Sequence, residues 1–231
     1  MVAANLNASI NSKIRICKIN ASYKNEVYNL LYGFTNDEEK AYLNRYQRTS
    51  DRYNSLVGLT LAKQLSNQRV SESLTLLHNK KGQPYLINCE EYISISHCTN
   101  TVVAAISPCR VGIDIECPLS NVREDLFLSK DEYKKLRGSK NRARLLTTLW
   151  TLKEAYLKLE GTGFLVDPTT ISFYKVNNNW LLRGSNGYFF TKNMEDGMIL
   201  SLAAEKAFPI QLQEISEADL VSGFTFVPCN L

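Results

Sequence analysis

Apolar residues recur along the chain with two different periods, one typical of strands and one typical of helices. Lys13–Ile19 alternates apolar and polar residues and predicts a strand, and Thr35 with Glu38 predicts a capping box that opens a helix. An order of helices followed by strands then recurs after residue 110. Helices are predicted over about 37–47, 51–66, 129–136 and 142–160, and further strands over 74–78, 92–96, 101–107, 111–116, 171–176, 180–183, 188–191 and 199–204.

The repeated order predicts an α+β fold built of two similar halves, residues 1–110 and residues 111–231. A chain of 231 residues is long enough for one large domain or for two small fused ones. The two halves share their predicted order of elements, but their amino-acid sequences show no clear repeat. The division is therefore an expectation from the order of elements alone.

Composition and charge narrow the classes of function. The longest apolar runs, such as Val102–Ile106, are too short to cross a membrane, and the polar N-terminus predicts no signal peptide, so a cytoplasmic protein is expected. The formal net charge of +4 suits an anionic ligand, although it is common in proteins without one, and no run of Lys or Arg resembles a nucleic-acid-binding arm. Six Cys without a Cys-x-x-Cys motif predict free thiols, and two His disfavour structural zinc.

Two acidic residues lie on one face of the predicted strand Val111–Glu116. Side chains alternate along a strand, so the apolar residues face a core while Gly112, Asp114 and Glu116 face the other side. Neighbouring carboxylates repel each other unless a cation lies between them, and carboxylate oxygens are ligands that Mg²⁺ prefers. Gly112 leaves room for a ligand to approach. An edge strand with a solvated acidic face explains the same pattern equally well.

Two further segments carry polar residues that favour a binding site. Glu154 and Lys158 are four residues apart on a predicted helix, away from its apolar stripe. They form either a surface ion pair or a third carboxylate and a lysine beside the acidic strand. Ser96 and His97 end a predicted strand, where a hydroxyl, an imidazole and free N–H groups can bind phosphate. A structural histidine in a turn is the alternative, and no Gly-x-Ser-x-Gly motif supports a serine hydrolase.

In their order and spacing these segments resemble the 4′-phosphopantetheinyl transferases of the Sfp-type class. The resemblance is carried by Ser96-His97, then Gly112-Ile113-Asp114-Ile115-Glu116, then Trp150-x-x-Lys153-Glu154-Ala155-x-x-Lys158. Further matches are the loop Lys80–Pro84, the segment Phe127–Tyr133 and a basic helix with Arg45, Arg48 and Arg52. Each motif alone is weak, but their combination in this order is specific and covers most of residues 37–166.

The resemblance implies a fold of two similar α+β halves related by pseudo-twofold symmetry, with the active site between them. It implies an enzyme that transfers the 4′-phosphopantetheine group of coenzyme A to a serine of an apo acyl or peptidyl carrier protein and releases adenosine 3′,5′-bisphosphate. Mg²⁺ is the implied cofactor and coenzyme A the implied substrate. A monomer that binds neither nucleic acid nor membrane is expected.

The resemblance also assigns roles to the acidic strand and the motif helix. Asp114, Glu116 and Glu154 would hold Mg²⁺ against the pyrophosphate of coenzyme A. Glu154, directly or through a water, would take the proton from the carrier serine. Lys158 would protect the developing charge or protonate the leaving phosphate, and Lys153 would neutralise phosphate nearby.

Other residues are implied around the nucleotide of coenzyme A. His97, with Ser96, would contact a phosphate, and Lys81 and Gln83 would lie in a loop beside the adenine and the 3′-phosphate. Gln83 stands where the family usually has Lys, which removes one cation, and Lys80 or Lys81 is near enough in sequence to compensate. The basic residues of the first helices expected in the same place are Arg45, Arg48 and Arg52.

Two other classes of function remain open. A different Mg²⁺-dependent enzyme that cleaves phosphodiesters would use the same carboxylates, and a non-catalytic module would bind a carrier protein or coenzyme A. The motif Trp150–Lys158 and the pair Ser96-His97 disfavour the first alternative, because both stand at the positions that match the transferases. The complete set of three carboxylates disfavours the second, since a binding module has little use for a buried Mg²⁺ site.

Overall fold

The computed structural model describes residues 11–19, 25–66, 74–120 and 122–225, which form six α-helices and eleven strands. The helices are α1 (Asn25–Gly33), α2 (Asp37–Leu43), α3 (Thr49–Leu65), α4 (Lys130–Arg137), α5 (Arg142–Glu160) and α6 (Glu217–Thr225). The strands are β1 (Ser12–Lys18), β2 (Leu76–His78), β3 (Pro84–Leu86), β4 (Tyr92–Cys98), β5 (Thr101–Ser107), β6 (Val111–Glu116), β7 (Phe173–Val176), β8 (Asn179–Leu182), β9 (Tyr188–Asn193), β10 (Ile199–Ala204) and β11 (Ile210–Ser216).

Two sheets and two hairpins contain these strands. The larger sheet has the order β11-β1-β5-β4, in which β11 is parallel to β1 and the other neighbours are antiparallel. The smaller sheet has the order β6-β10-β9 and is antiparallel throughout, with Asp114 opposite Ser201. Strands β2 with β3, and β7 with β8, form separate hairpins. The mixture of helices and largely antiparallel sheets confirms the predicted α+β class.

The fold has four layers, namely α3, the larger sheet, the smaller sheet and α5, and the apolar core between them has three parts. Apolar side chains of the two sheets pack against each other, among them Ile16, Val103 and Ile113. Helix α3 covers the outer face of the larger sheet, and α5 covers that of the smaller sheet. Strand β4 meets β6, because the N–H of Ile113 donates a hydrogen bond to the hydroxyl of Ser94 at 3.0 Å. The polar residues of β4, β6 and α5 are thereby gathered at one place.

The capping box of α2 lies one residue later than the sequence predicts. The side chain of Asn36 accepts the N–H of Glu39 at 2.9 Å, and the Glu39 carboxylate accepts the N–H of Asn36 at 3.1 Å. The predicted box of Thr35 with Glu38 is wrong, because the Thr35 hydroxyl donates to the carbonyl of Tyr32. Both registers fit the sequence pattern, and the observed register lets the buried Glu39 form an ion pair inside the protein.

The end of the chain returns to the first half. Strand β11 pairs with β1, and Leu220 of α6 belongs to the core beneath α3. Some residues of the expected second half, 111–231, therefore pack with the first half. The reason is that β1 would otherwise be an unpaired edge, and β11 satisfies its free N–H and C=O groups.

Several predicted elements have the bounds that the structure gives them. These are α5, β5, β6 and β10. Helices α1 and α6 and strands β3 and β11 were not predicted, and α2 ends earlier than expected, at Leu43. Among the described residues, no helix is long and apolar enough to span a membrane. The expectation about the polar N-terminus lies outside the described residues, since these begin at residue 11.

Candidate active site

Strand β6 and helix α5 pack closely enough to bring their polar faces together. The alternation predicted for β6 is observed, since Ile113 and Ile115 belong to the core between the sheets. A Cβ at Gly112 would collide with the carbonyl oxygen of Ala155, so glycine is what lets α5 lie so near the strand. The carboxylate of Asp114 then lies beside the motif residues of α5.

Three carboxylates interact where β6 meets α5. Burial, and then the negative charge of Asp114, raise the pKa of Glu154 to about 7. The same two causes raise the pKa of Glu116, which is half-buried. Asp114 is 4% exposed, which excludes a solvated acidic face at this position. Asp114, Glu116 and Glu154 therefore interact with one another, and the charge of Asp114 adds to the effect of burial on the pKa of Glu116 and of Glu154. That the three acids together hold Mg²⁺ stays a prediction.

Lys158 supplies the positive charge of this acidic site. Its ammonium donates hydrogen bonds to Asp114 Oδ1 at 2.8 Å and to the carbonyl of Ile113 at 3.1 Å. The alternative of a surface ion pair between Glu154 and Lys158 is not what forms, since Lys158 reaches across to the strand instead. Asp114 Oδ2 and Glu154 Oε1 remain buried without a hydrogen-bond partner. Such oxygens are costly to bury unless a further cation or donor satisfies them.

The acids are not arranged as a finished metal centre. Within the described ranges, no group of three or more His, Cys, Asp or Glu side chains is placed so that it could hold a metal ion. The donor chemistry nevertheless fits Mg²⁺, which prefers carboxylate oxygens and few protein ligands. The two buried, unpartnered oxygens of Asp114 and Glu154 are the observation that supports this fit.

Side chains around the acids orient them. Ser96 donates its hydroxyl hydrogen to Asp114 Oδ1 at 2.7 Å. The indole of Trp150 and the thiol of Cys98 make hydrogen bonds to Glu116, and both lower its pKa against the effect of burial. Sequence reasoning did not assign these orienting roles. The position of Trp150, four residues before Glu154 on one face of α5, was the available signal.

The pair Ser96-His97 is divided between two sides of β4. Ser96 is buried and turns inward to Asp114, whereas His97 is exposed and lines a cavity on the other side. This division follows from the alternation of a strand. The Ser96 hydroxyl thus points to Asp114 and not to the cavity that His97 lines, and contact of the two residues with a nucleotide phosphate stays a prediction. Desolvation and the nearby charge of Lys158 lower the pKa of His97, although Asp51 and Asp114 oppose them.

A cavity of about 200 Å³ lies between α2, α3, the β2–β3 hairpin and β4. Its wall includes the rings of Tyr42 and His78, which stack with centroids 3.8 Å apart, together with His97. Burial, and then the charge of Arg45, lower the pKa of His78 to about 4. The cavity thus combines flat rings with positive charge, a combination that suits an aromatic base carrying phosphate.

The expected basic residues of the first helices differ in their positions. Arg45 lies over the ring of Tyr42, with its guanidinium carbon 5.7 Å from the centroid. Arg52 donates to the carbonyl of Tyr46 at 2.9 Å, and its Nε is buried without a partner. Arg48 precedes α3 and is exposed. Arg45 and Arg52 therefore contact residues of the cavity wall.

The two residues expected in the loop before β3 also differ in their positions. Lys81 is exposed, whereas Gln83 turns toward the end of α5. Gln83 Nε2 donates to the carbonyl of Lys158 at 2.9 Å, and the side chain packs against Gly161, the left-handed residue that ends the helix. The expectation that Gln83 lies at the nucleotide is therefore replaced by a bond between the first half and α5.

Lys153 does not face the acids. Its side chain is 1% exposed and its ammonium lies 2.6 Å from Glu132 Oε2. The same ammonium donates to the carbonyls of Phe127, Pro168 and Ile171 at 2.6–2.8 Å. Burial lowers the pKa of Lys153, and Glu132 opposes that effect. The expectation that Lys153 neutralises phosphate is wrong, because adjacent residues of a helix point in different directions and only Glu154 faces the strand.

Comparison with known proteins supports the resemblance seen in the motifs. Residues 110–193 match the model of the 4′-phosphopantetheinyl transferase superfamily. The chain is 30% identical to 4′-phosphopantetheinyl transferase gsp of Aneurinibacillus migulanus over 148 residues, 61% of this chain and 62% of that protein. It is 25% identical to 4′-phosphopantetheinyl transferase Sfp of Bacillus subtilis over 138 residues, 56% of this chain and 62% of that protein. The matches thus span about three fifths of these relatives.

A solved structure is also similar in part. Thermotoga maritima holo-[acyl-carrier-protein] synthase matches with 26% identity and a TM-score of 0.36 over 43% of this chain and 64% of that one. The similarity to the Sfp-type 4′-phosphopantetheinyl transferases expected from the motifs is confirmed. The matching segment 110–193 contains Asp114, Glu116, Glu154 and Lys158. The acidic site therefore lies in the part of the chain that matches the superfamily model.

Proposed function

We propose that this protein transfers the 4′-phosphopantetheine group of coenzyme A to a serine of an apo acyl or peptidyl carrier protein. The reaction would depend on Mg²⁺ and release adenosine 3′,5′-bisphosphate, and the enzyme would act as a monomer in the cytoplasm. The relatives named as 4′-phosphopantetheinyl transferases support the reaction. The observation that carries the proposal is the convergence of Asp114, Glu116 and Glu154 with Lys158.

The acids would hold Mg²⁺ through oxygens that lack partners in the protein. Asp114 Oδ2 and Glu154 Oε1 are buried and unpartnered, and Glu116 is held in place by Trp150 and Cys98. Bound Mg²⁺ would neutralise the pyrophosphate of coenzyme A and stabilise the leaving group. Ser96 serves this site by fixing the rotamer of Asp114 through its hydroxyl.

Lys158 and Glu154 would act on charge and protons. Lys158 brings a partly exposed ammonium to Asp114, where it would bind phosphate oxygens and stabilise the charge that develops on them. Glu154 lies on the same face of α5 as Lys158 and interacts with both acids of β6. From there it would take the proton of the carrier serine, directly or through a water. Both roles require residues that face the strand, which Lys153 does not.

The nucleotide of coenzyme A would occupy the cavity beside His97. The stacked rings of Tyr42 and His78 offer a flat surface for adenine, and Arg45 and Arg52 bring positive charge to its wall. His97 connects this cavity to the acidic site, because its ring lines the cavity and responds to the charge of Lys158. The substrate would therefore extend from the first half of the chain to α5.

The experiment that tests the proposal is intact-mass analysis of several apo carrier proteins incubated with the protein, coenzyme A and Mg²⁺. We expect a mass gain of one phosphopantetheine group on the carrier serine, and no gain when the serine is replaced by alanine or Mg²⁺ is chelated. Consumption of coenzyme A without any carrier would instead identify a phosphodiester-cleaving enzyme. Binding of coenzyme A or carrier without consumption would identify a non-catalytic module.

A further inference from the structure

Two cysteines meet beside the acidic site. The sulfurs of Cys98 and Cys117 are 3.1 Å apart, and the N–H of Cys117 donates to the Cys98 sulfur at 3.1 Å. Cys98 ends β4 and Cys117 follows directly after β6, so the contact joins the two strands that carry His97 and Glu116. Both thiols are free and half-buried, which leaves them open to small oxidants.

We propose that Cys98 and Cys117 are a modification site, at which oxidation forms a reversible disulfide that weakens the acidic site. A disulfide has sulfurs about 2.05 Å apart, so the two sulfurs must approach by roughly 1 Å. Both cysteines lie at strand ends, and Cys117 is followed by a segment without regular structure. A movement of that size is within the reach of their side chains.

The chemistry needs a two-electron oxidant, for which we take hydrogen peroxide. Peroxide oxidises one thiol to a sulfenic acid and leaves as one water. The sulfur of the second thiol then attacks the sulfenic sulfur, a second water leaves, and the S–S bond forms. The two thiol protons depart in the waters and two electrons reduce the peroxide. A dithiol reductant reverses the bond by exchange.

Oxidation would reach the acids through Glu116. The Cys98 thiol interacts with Glu116 as well as with the Cys117 sulfur in the reduced protein, and a disulfide has no hydrogen to donate to either. Cys117 is the next residue in the chain, so its movement toward Cys98 would also turn the Glu116 backbone. Loss of a hydrogen bond that orients a metal ligand costs about 10-fold in affinity or activity. This consequence rests on the proposed function of the acids, whereas formation of the disulfide does not.

The test begins with chemistry that needs no turnover. The fully reduced chain is incubated with hydrogen peroxide for hours, because the raised pKa of Cys98, about 12, slows the first step. Remaining thiols are then alkylated and peptides are mapped by mass. We expect a peptide in which Cys98 is linked to Cys117, and its absence in Cys117→Ser. Recovery of both cysteines as alkylated thiols would overturn the proposal.

The second part measures the consequence. Mg²⁺ affinity and phosphopantetheine transfer should both fall about 10-fold on oxidation and recover with dithiothreitol. Cys117→Ser should lose this sensitivity to peroxide. Cys89→Ser is the matched control that should keep it, since Cys89 is also half-buried but contacts the Ser66 hydroxyl instead of a thiol. If the Cys98–Cys117 disulfide forms but Mg²⁺ affinity and transfer stay unchanged, the proposed effect of oxidation on the acidic site is overturned. If the disulfide forms on oxidation but the reduced protein transfers no phosphopantetheine, the proposed function is refuted and the disulfide proposal is not.

Discussion

The ion pair of Glu39 with Lys63 and the ion pair of Glu132 with Lys153 are built alike. Glu39 closes the capping box of α2, pairs with a lysine of α3 at 2.7 Å and accepts the first N–H of the following hairpin at 2.8 Å. Glu132 closes the capping box of α4, pairs with a lysine of α5 at 2.6 Å and accepts the first N–H of its own hairpin at 2.8 Å. These matching contacts are of the kind expected from the pseudo-twofold relation between the halves that the family resemblance implies.

The residues beside the two ion pairs differ in charge. Gln64 comes directly after the lysine of the first pair, and Glu154 directly after that of the second. In the first half, Arg15 of β1 donates to Gln64 Oε1 at 3.2 Å. In the second half, burial and then the charge of Asp114 of β6 raise the pKa of Glu154 instead. The ion pair fixes the helix in both halves, and the next side chain decides whether the strand and helix enclose repelling acids or a satisfied hydrogen bond.

The largest effect should come from removing the acids of the second half. We expect Asp114→Ala and Glu154→Ala to abolish transfer, a loss of about 100-fold or more, because each removes a carboxylate oxygen that we propose holds Mg²⁺. The folded state should survive, because Glu154→Ala removes electrostatic repulsion and because Lys158, which loses its partner in Asp114→Ala, is 30% exposed and can reach water. Transfer is measured by the mass of the carrier, and folding by circular dichroism.

The matched controls are Arg15→Ala and Gln64→Ala in the first half. They stand at the corresponding places beside the first ion pair, and their hydrogen bond is far from the acids in sequence and sheet. We expect both variants to transfer at a rate close to that of the unchanged chain. Equal losses in the two halves would show that the acids matter for folding alone.

The sequence predicted the second half better than the first. The spacing of apolar residues indicates the length of α5 and the alternation of β6. The bounds of both elements, and the proximity of Asp114 to Glu154, could therefore be predicted. The different fates of Lys153 and Lys158 could not. Both are lysines on one helix, and only the tertiary position of Glu132 and the carbonyls around it decides which one is buried.

Contacts between distant segments account for the other corrections. Strand β11 pairs with β1, almost two hundred residues away, and such a pairing leaves no local signal. Thr35 and Asn36 each offered a capping box, and the choice depends on the buried partner of Glu39. Gln83 matched a nucleotide-binding loop by position, yet its bond to the Lys158 carbonyl depends on how the two halves meet. Sequence spacing predicts elements, while packing selects among equivalent polar partners.

The next effect is on stability and compares the two ion pairs. We expect Lys153→Met to lower the free energy of unfolding by about 3–5 kcal/mol, because it leaves Glu132 charged and unpaired in the interior. Three carbonyls would lose their donor as well. Lys63→Met should cost less, since Lys63 is 12% exposed against 1% for Lys153 and water can reach Glu39 more easily. Urea unfolding measures both.

The second step of this comparison removes both charges. Glu132→Gln combined with Lys153→Met should recover part of the loss, since no buried charge is then left without a partner. A double variant as unstable as the sum of the single variants would contradict the ion-pair explanation. It would point to the carbonyl contacts of Lys153 as the main source of stability.

A smaller effect on stability depends on pH and comes from His78 in the first half. The pKa of His78 is lowered from 6.5 to about 4, so the unfolded chain takes up its proton before the folded chain does. Stability from this residue is present above pH 6.5 and is lost as the pH falls toward 4, by at most about 3 kcal/mol. His78→Phe keeps a ring against Tyr42 and should flatten this part of the profile. Unfolding is followed by urea titration at each pH.

The same measurement tests whether the halves unfold together. Both tryptophans, Trp150 and Trp180, lie in the second half, so their fluorescence reports unfolding there. If the halves form one cooperative unit, the pH dependence set by His78 must appear in that fluorescence and in circular dichroism alike. A fluorescence transition that ignores the His78→Phe change would show two independently unfolding halves.

The smallest effect concerns the bond between the halves at Gln83. We expect Gln83→Ala to cost about 1 kcal/mol of stability, because the carbonyl of Lys158 loses its donor at the end of α5. The KM for coenzyme A should change by no more than about twofold, since the side chain points to α5 and not to the cavity. Lys81→Ala, on the exposed part of the same loop, should leave stability unchanged. A large rise in KM with unchanged stability would return Gln83 to the nucleotide, where the motif alone had placed it.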